Sequence, residues 1–491
     1  MNKQLKALAG QTVVYGFSSI LGRLLNYLLV PLYTRLFLPE VYGIVTELYA
    51  YVTFLLILLT YGMETGLFRF GQEKENFNKV YSSILFCLSI SSILFIIGIS
   101  IFLKPIASLI RYVEHPEYIL WMALIVSLDA FTSIPFARLR LENRAWKFAI
   151  IKLINISTNI AFNLFFLIYC PKLLNSNPNS ILLNIYSPNI GVGYVFISNL
   201  LANIITLIIL LPEIFNIKIR IDIKLLKTIL KYSLPLLIAG FAGMINETLD
   251  RVMLKFLVAE DLNPMAQLGI YGANYKLAIL MTLFIQMFRY AAEPFFFQNK
   301  NESNARELYA KATKYFIIFG LIIFLGVMFY IDIIKYFISA NYHEGLKVVP
   351  ILLIANLFLG IFFNFSIWYK LNDMTKYGAW LAVFGAIVTI VLNLILVPVY
   401  GYMGAAWTTL ICYVLMSLLS FYWGQKYYKV PYEIGNAAFY FILAIALYFA
   451  SSVLKPDSQV FVYIINSCLL LVFLSVFAIK EKVWQEFIKN K

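Results

Sequence analysis

Long apolar runs dominate the chain, and short polar connectors separate them. Each run holds about 20 residues, the length at which a helix crosses a hydrocarbon core about 30 Å thick. Windows of that length place spans near residues 12–33, 42–62, 80–103, 118–136, 148–169 and 192–212. A second set falls near 232–258, 267–297, 315–337, 347–369, 378–397 and 402–424, and two more near 435–454 and 460–479. The pattern predicts an all-α polytopic membrane protein of about 14 transmembrane helices. Its expected parts are an N-terminal lobe over 1–212, a basic cytoplasmic linker over 213–231, a second lobe over 232–424, and two extra helices with a tail over 425–491.

Composition narrows the class. Of 491 residues, 62% are apolar and 13% charged, and the mean hydropathy is +0.81, too little polar surface to coat a soluble globule. The net charge of +14 reads as topology rather than as a nucleic-acid surface, because 26 of the 39 Lys and Arg fall in segments on one side of the expected spans. Both termini are therefore expected in the cytoplasm. Arg138, Arg140, Arg144 and Lys147 mark one inner loop, and Lys218, Arg220, Lys224 and Lys227 another. Orientation accounts for these clusters, with anionic-lipid binding as the second reading. The first apolar run follows Lys3 and Lys6 as a signal peptide would, but it has the length of a span and no small-residue cleavage pattern, so it is expected to remain as the first helix. Cys87, Cys170, Cys412 and Cys468 stand singly, and His115 and His343 fall in outward loops without metal-ligand spacing, so neither a metal site nor a cofactor is expected. The longest outward loop, 171–191, is too small for a catalytic domain, which weighs against a polysaccharide polymerase or any other enzyme.

An internal repeat is visible at one offset. Tyr42-Gly43 recurs as Tyr271-Gly272, Leu48 as Leu277, Tyr61 as Tyr290 and Glu64 as Glu293, each 229 residues on. Thr158 and Asn163 echo Thr389 and Asn393 at nearly that shift. Six spans separate the equivalents, so the expectation is two pseudo-symmetric six-helix lobes related about the membrane normal, with a cavity between them.

Charges inside apolar spans are costly and mark partners or wet cavities. Arg23 lies mid-span and cannot easily reach water. Asn246, Glu247, Asp250 and Arg251 lie close together in the seventh span, with Glu247 and Arg251 one turn apart and able to pair. A structural knot and a cavity wall are both open readings there. Lys255, nearer the outer end, is expected to snorkel. Glu47 and Lys276 sit in the outer parts of spans two and eight. Glu64, Arg69, Arg289 and Glu293 sit toward the inner ends, as a gate of ion pairs between lobes or as interfacial capping. Asp129, isolated in span four, is either a hydrogen-bonded structural acid or a proton site. Prolines 31, 235, 294 and 398 in or near apolar spans are expected to bend their helices.

Leu21-Gly22-Arg23 and the run Tyr33-Thr34-Arg35-Leu36-Phe37-Leu38-Pro39-Glu40-Val41-Tyr42-Gly43 resemble the opening of the polysaccharide flippase branch of the multidrug/oligosaccharidyl-lipid/polysaccharide exporter superfamily. Leu268-Gly269-Ile270-Tyr271 is similar to that family's entry into helix eight. Phe288-Arg289-Tyr290-Ala291-Ala292-Glu293-Pro294, Trp368-Tyr369-Lys370-Leu371-Asn372-Asp373 and Gly401-Tyr402-Met403-Gly404-Ala405-Ala406-Trp407 resemble its Bacteroidetes-type members. The resemblance implies a two-lobed transporter in a bacterial inner membrane that moves an undecaprenyl-pyrophosphate-linked oligosaccharide for O-antigen, capsule or another surface glycan. Its partners would be membrane lipids and the polymerase and ligase machinery. It implies cavity cations at Arg23 and Arg251, which with Asn246 and Lys276 form the candidate substrate site. Asp129, Glu247, Asp250 and Glu47 are the candidate H⁺ or Na⁺ coupling carboxylates. A lipid II flippase and a drug/cation antiporter of the same superfamily are the alternatives.

Overall fold

A computed structural model describes residues 21–22, 24–217, 220–300, 302–454 and 456–482. The first part of the chain forms α1 (Leu29–Leu36), α2 (Pro39–Thr60), α3 (Met63–Phe70), α4 (Lys74–Ile101), α5 (Leu103–Leu109), α6 (Pro116–Leu141), α7 (Ala145–Leu164), α8 (Cys170–Ser176) and α9 (Gly193–Phe215). Then follow α10 (Ile223–Leu257), α11 (Pro264–Leu277), α12 (Ile279–Gln298), α13 (Ala305–Phe329), α14 (Ile331–Ile334), α15 (Val349–Phe365), α16 (Ile367–Leu371), α17 (Thr375–Tyr400), α18 (Tyr402–Tyr427), α19 (Ile434–Val453) and α20 (Gln459–Lys480). The described residues contain no strand. Among the described residues, twelve stretches are long and apolar enough to cross a membrane, and α11 with α12, bent by 50°, makes a thirteenth. These match every span expected from residue 42 onward, so the chain is a polytopic all-α membrane protein. Residues 12–20 and 23 of the expected first span lie outside the described residues, and α1 begins within the described remainder.

By internal contacts the chain forms two compact units, one comprising 1–256 with 263–269 and the other 257–262 with 270–491. In the first unit, α2 opens with Pro39, whose missing N–H costs nothing in a first turn, and with Glu40 where the helix dipole favours an acid. It ends where Tyr61 and Gly62 adopt left-handed conformations, φ 32° and 72°, which splits one apolar stretch into α2 and α3. Further on, α7 runs through a π-helical turn, Phe165–Tyr169, into α8. The prolines at 235 and 398, expected to bend their spans, lie inside unbroken α10 and α17. Among the described residues, spans are interrupted at Tyr61-Gly62, at Ala278 and at Ser366. α10 begins inside the stretch expected as a linker, and up to Phe256 it belongs to the first unit.

The start of α11 crosses α2 backbone to backbone. A Cβ on Gly269 would collide with the Pro39 carbonyl, and one on Gly43 with the Met265 carbonyl.

The repeat extends into backbone detail. Asn143 and Asp373, 230 residues apart, both take left-handed conformations, φ 58° and 56°. In each turn the next N–H closes onto a carbonyl five residues back, Arg144 to Leu139 and Met374 to Tyr369, both at 2.8 Å. This is the helix-ending motif that a left-handed residue permits. Asn163 and Asn393, both fully buried, each donate a side-chain amide to the carbonyl four residues earlier, at 2.8 and 2.9 Å.

In the second unit, α19 and α20 are fastened to α13 at both ends. Lys314 contacts Glu433 at 3.0 Å and Glu481 at 2.6 Å, and Tyr440 donates to Glu481. At the other end Asn466 donates to the Phe329 carbonyl at 2.7 Å. Burial opposes ionisation of Glu433, but hydrogen bonds from Asn436 and Lys314 outweigh it and hold the carboxyl below its ordinary range.

Two outcomes are expected. Gly269→Leu should lower the Tm of the purified protein, since overpacking costs about 1–3 kcal/mol; an unchanged Tm contradicts the close crossing. The depressed Glu433 value means its contribution is present above the unfolded value near 4.5 and is lost as pH falls below it. Tm measured against pH should therefore show an acid limb that Glu433→Gln flattens.

Candidate functional site

The most deeply buried charge pair lies in the first unit. Glu47 on α2 is 0% exposed and Lys255 on α10 is 5% exposed. The Lys255 ammonium donates to Glu47 Oε2 at 2.9 Å and to the Ile110 carbonyl at 2.6 Å, and it stands 3.9 Å from the Tyr112 ring. Tyr112 and Tyr51 donate their hydroxyls to the same carboxylate at 2.6 and 3.0 Å. Lys255 therefore does not snorkel: an acid and a phenol hold it inside the protein. Such a pair survives desolvation only when its remaining bonding capacity is filled, as it is here.

Asp129 on α6 is not isolated. Asn203 on α9 donates to its Oδ1 at 2.9 Å, and Asn155 on α7 donates to Asn203 Oδ1 at 3.1 Å and to the Thr206 hydroxyl at 2.8 Å. The Lys152 charge bears on Asp129, while its ammonium lies 4.1 Å from the Phe136 ring. Three helices thus surround one acid with amides, a hydroxyl and a cation.

On α10, Asn246 and Asp250 are buried and Asp250 accepts the Arg251 backbone N–H at 2.8 Å. Glu247 is exposed, and among the described residues no ion pair joins it to Arg251. The Arg251 charge bears on Tyr42 of α2. Arg23 lies outside the described residues. Lys276 is exposed on α11 in the second unit.

The gate candidates pair within their own units. Glu64 on α3 is ion-paired to Arg140 at the end of α6. Glu293 on α12 accepts Lys370 of α16 at 2.5 Å, with Arg289 3.8 Å away. Glu64 and Glu293 are 229 residues apart and their partners Arg140 and Lys370 are 230 apart, so the pairing repeats with the fold. Arg69 instead stacks on Tyr232 at 4.1 Å. Close by in sequence, Glu213 on α9 is buried beneath Arg138, Arg144 and Lys147. Three cations that read as orientation signals thus also fold around one acid.

Removing one member of the Glu47–Lys255 pair should be worse than removing both. Glu47→Ala strands a buried ammonium at a cost of about 3–5 kcal/mol, whereas Glu47→Leu with Lys255→Met should recover most of it. Thermal unfolding of the two single variants and the double variant measures this; a double loss equal to the sum of the single losses would mean the pair carries no net coupling.

A family model described as a polysaccharide biosynthesis protein matches residues 8–300. An uncharacterised membrane protein of Methanocaldococcus jannaschii is 24% identical over 395 residues, which covers 77% of this chain and 89% of that one. Among solved structures, the lipid II flippase MurJ in an inward closed conformation has a TM-score of 0.74 at 16% identity, over 96% of this chain and 99% of that chain. An inward-facing multidrug resistance transporter of the MATE family has a TM-score of 0.65 at 15% identity, over 84% and 94%. At such identity these likenesses speak for the fold, the one shared by transporters of the multidrug/oligosaccharidyl-lipid/polysaccharide superfamily. The model match covers more than half the chain, and the chain belongs to the polysaccharide biosynthesis protein family.

Proposed function

We propose that the protein is a flippase that carries an undecaprenyl-pyrophosphate-linked oligosaccharide from the cytoplasmic to the periplasmic leaflet of a bacterial inner membrane. Membership of a polysaccharide biosynthesis family, on a fold shared with transporters, is the observation that carries this reading. The family supplies the glycan and the fold supplies alternating access.

The physical task is to remove a polarity barrier. Each sugar hydroxyl stripped of water costs about 2–7 kcal/mol in hydrocarbon, so the head group needs a hydrated path while the prenyl tail stays in lipid. Arg23 and Arg251 are the proposed pyrophosphate contacts, and Asn246 and Lys276 are the further proposed substrate residues. Outward movement of the pyrophosphate down a negative-inside potential gains about 2.3 kcal/mol per charge per 100 mV, so net export does not require an ion gradient. If H⁺ or Na⁺ is coupled, Asp129 suits the task best, since amides and a nearby cation surround it and a change in its charge would be felt across α6, α7 and α9. Asp250 and Glu247 come next. Glu47, clamped by Lys255 and two phenols, suits a fixed brace better than a carrier. The product would pass to polymerase and ligase machinery for O-antigen, capsule or another surface polysaccharide.

A second reading, lipid II as the cargo, is favoured by the near-complete coverage of the MurJ fold.

The test is a leaflet-protection assay in proteoliposomes offered either an undecaprenyl-pyrophosphate oligosaccharide or lipid II. Transport of the first but not the second supports the proposal, and Arg251→Ala should slow it by roughly tenfold or more through the lost charge-assisted contact. Movement of lipid II alone selects the second reading. Exchange of cationic drugs for Na⁺ or H⁺, with no lipid-linked sugar moved, rejects both.

A further inference from the structure

Two guanidinium groups share one unusual feature. Arg140 in the first unit and Arg289 in the second each bury an Nε that has no hydrogen-bond partner among the described residues, although each is ion-paired through another nitrogen, to Glu64 and to Glu293. Buried donors are nearly always satisfied, so each orphan indicates an acceptor that the described residues do not supply, although the two arginines do not occupy equivalent repeat positions, Arg140 being matched by Lys370. An anion is the acceptor that a guanidinium edge suits best.

The second unit adds three further observations. Lys370 and Arg289 converge on the single carboxylate of Glu293, which leaves one positive charge uncompensated. The Arg289 guanidinium lies 4.0 Å from the Phe363 ring, and Phe288 and Phe296 line the same pocket. Asn364, 4% exposed, also lines it; its amide donates to the Gly360 carbonyl at 3.0 Å, while its Oδ1 has no donor among the described residues. The pocket thus offers two cations, an unused N–H, an unused carbonyl oxygen and aromatic walls. As it stands it encloses about 10 Å³, room for about one water, and its acidic wall is the part free to move, since the Glu293 side chain is 40% exposed.

We infer that this pocket is a docking site for a glycosyl pyrophosphate head group. The phosphate oxygens displace Glu293 from Lys370 and Arg289 and accept from the orphan Nε, while a sugar hydroxyl donates to Asn364 Oδ1 and the apolar face of the sugar lies against phenylalanine. Glu293 then acts as an internal competitor that closes the pocket when no ligand is present. The inference rests on the flippase reading and adds a station to it, on α12, α15 and α16 rather than at Arg251 on α10.

The experiment uses the full-length protein in lipid nanodiscs, titrated with farnesyl-pyrophosphate-linked N-acetylglucosamine and, separately, with inorganic pyrophosphate. Glu293→Gln should bind the lipid-linked probe severalfold more tightly, because the competing charge is gone and the side-chain shape is kept. Arg289→Gln and Lys370→Met should weaken it by about tenfold. Asn364→Leu should weaken the glycosylated probe and leave inorganic pyrophosphate unchanged. A gain of affinity cannot arise from misfolding, so the Glu293→Gln result decides the matter even if another variant fails to fold. Affinities for the lipid-linked probe within about twofold of wild type for Glu293→Gln, or effects confined to inorganic pyrophosphate, overturn the inference. If Glu293→Gln tightens binding but wild-type protein moves no lipid-linked sugar, the docking site stands and the flippase reading falls. If transport is intact and Glu293→Gln leaves affinity unchanged, the reverse holds.

Discussion

The absence of water in a bilayer core is the constraint on which the rest of this structure depends. Every backbone group there must be satisfied inside the protein, a demand that only helices and closed β-barrels meet, and this chain meets it with helices. The same scarcity governs side chains. A buried charge must bring its own partners, and this chain meets that demand with compact sets of three or more groups: Glu47 with Lys255 and two tyrosines, Asp129 with its amides, Glu213 beneath three cations. None is a lone ion pair. Each gathers residues from several helices and so fixes the packing of those helices while it neutralises the charge.

These clusters divide into two kinds. The Glu47–Lys255 set is saturated and nearly sealed from solvent, which suits a brace that holds α10 to α2. The acid–base pairs Glu64–Arg140 and Glu293–Lys370 are partly exposed, and an unused guanidinium Nε lies at each, on Arg140 itself and on Arg289, the second cation at Glu293. The proposed flippase cycle calls for both: contacts that persist through it, and contacts weak or incomplete enough to be exchanged for substrate. Duplication of the second kind in both halves shows that the repeat has preserved chemistry as well as shape.

The architecture was legible in the sequence because its cause is local. Apolar runs of span length need no knowledge of the fold, and thirteen of the expected spans are present among the described residues. The offset of 229 was also readable, and the paired turns at Asn143 and Asp373 are its backbone counterpart. Partnerships were not legible. Lys255 lies 208 residues from Glu47, and nothing near it in sequence distinguishes a lysine that snorkels from one that is clamped. Likewise Glu247 and Arg251 have suitable helical spacing, yet Asp250 makes the local contact. Asp129 looked solitary because its partners Asn203 and Asn155 are polar residues on other helices with no motif of their own. The repeat offset relates Glu64 to Glu293 and Arg140 to Lys370, but it does not say that either acid meets its base, since those partners lie 76 and 77 residues apart in sequence.

The two breaks in the second span of each repeat have unequal mechanical meaning. α2 has 22 residues, about 33 Å of helix, enough to cross the hydrocarbon before the interruption at Tyr61-Gly62. α11 has 14 residues, about 21 Å, and must continue into α12 to cross, so its 50° bend at Ala278 falls within the bilayer's depth. The first rod is stiff through the membrane and jointed at its rim; the second carries its joint inside.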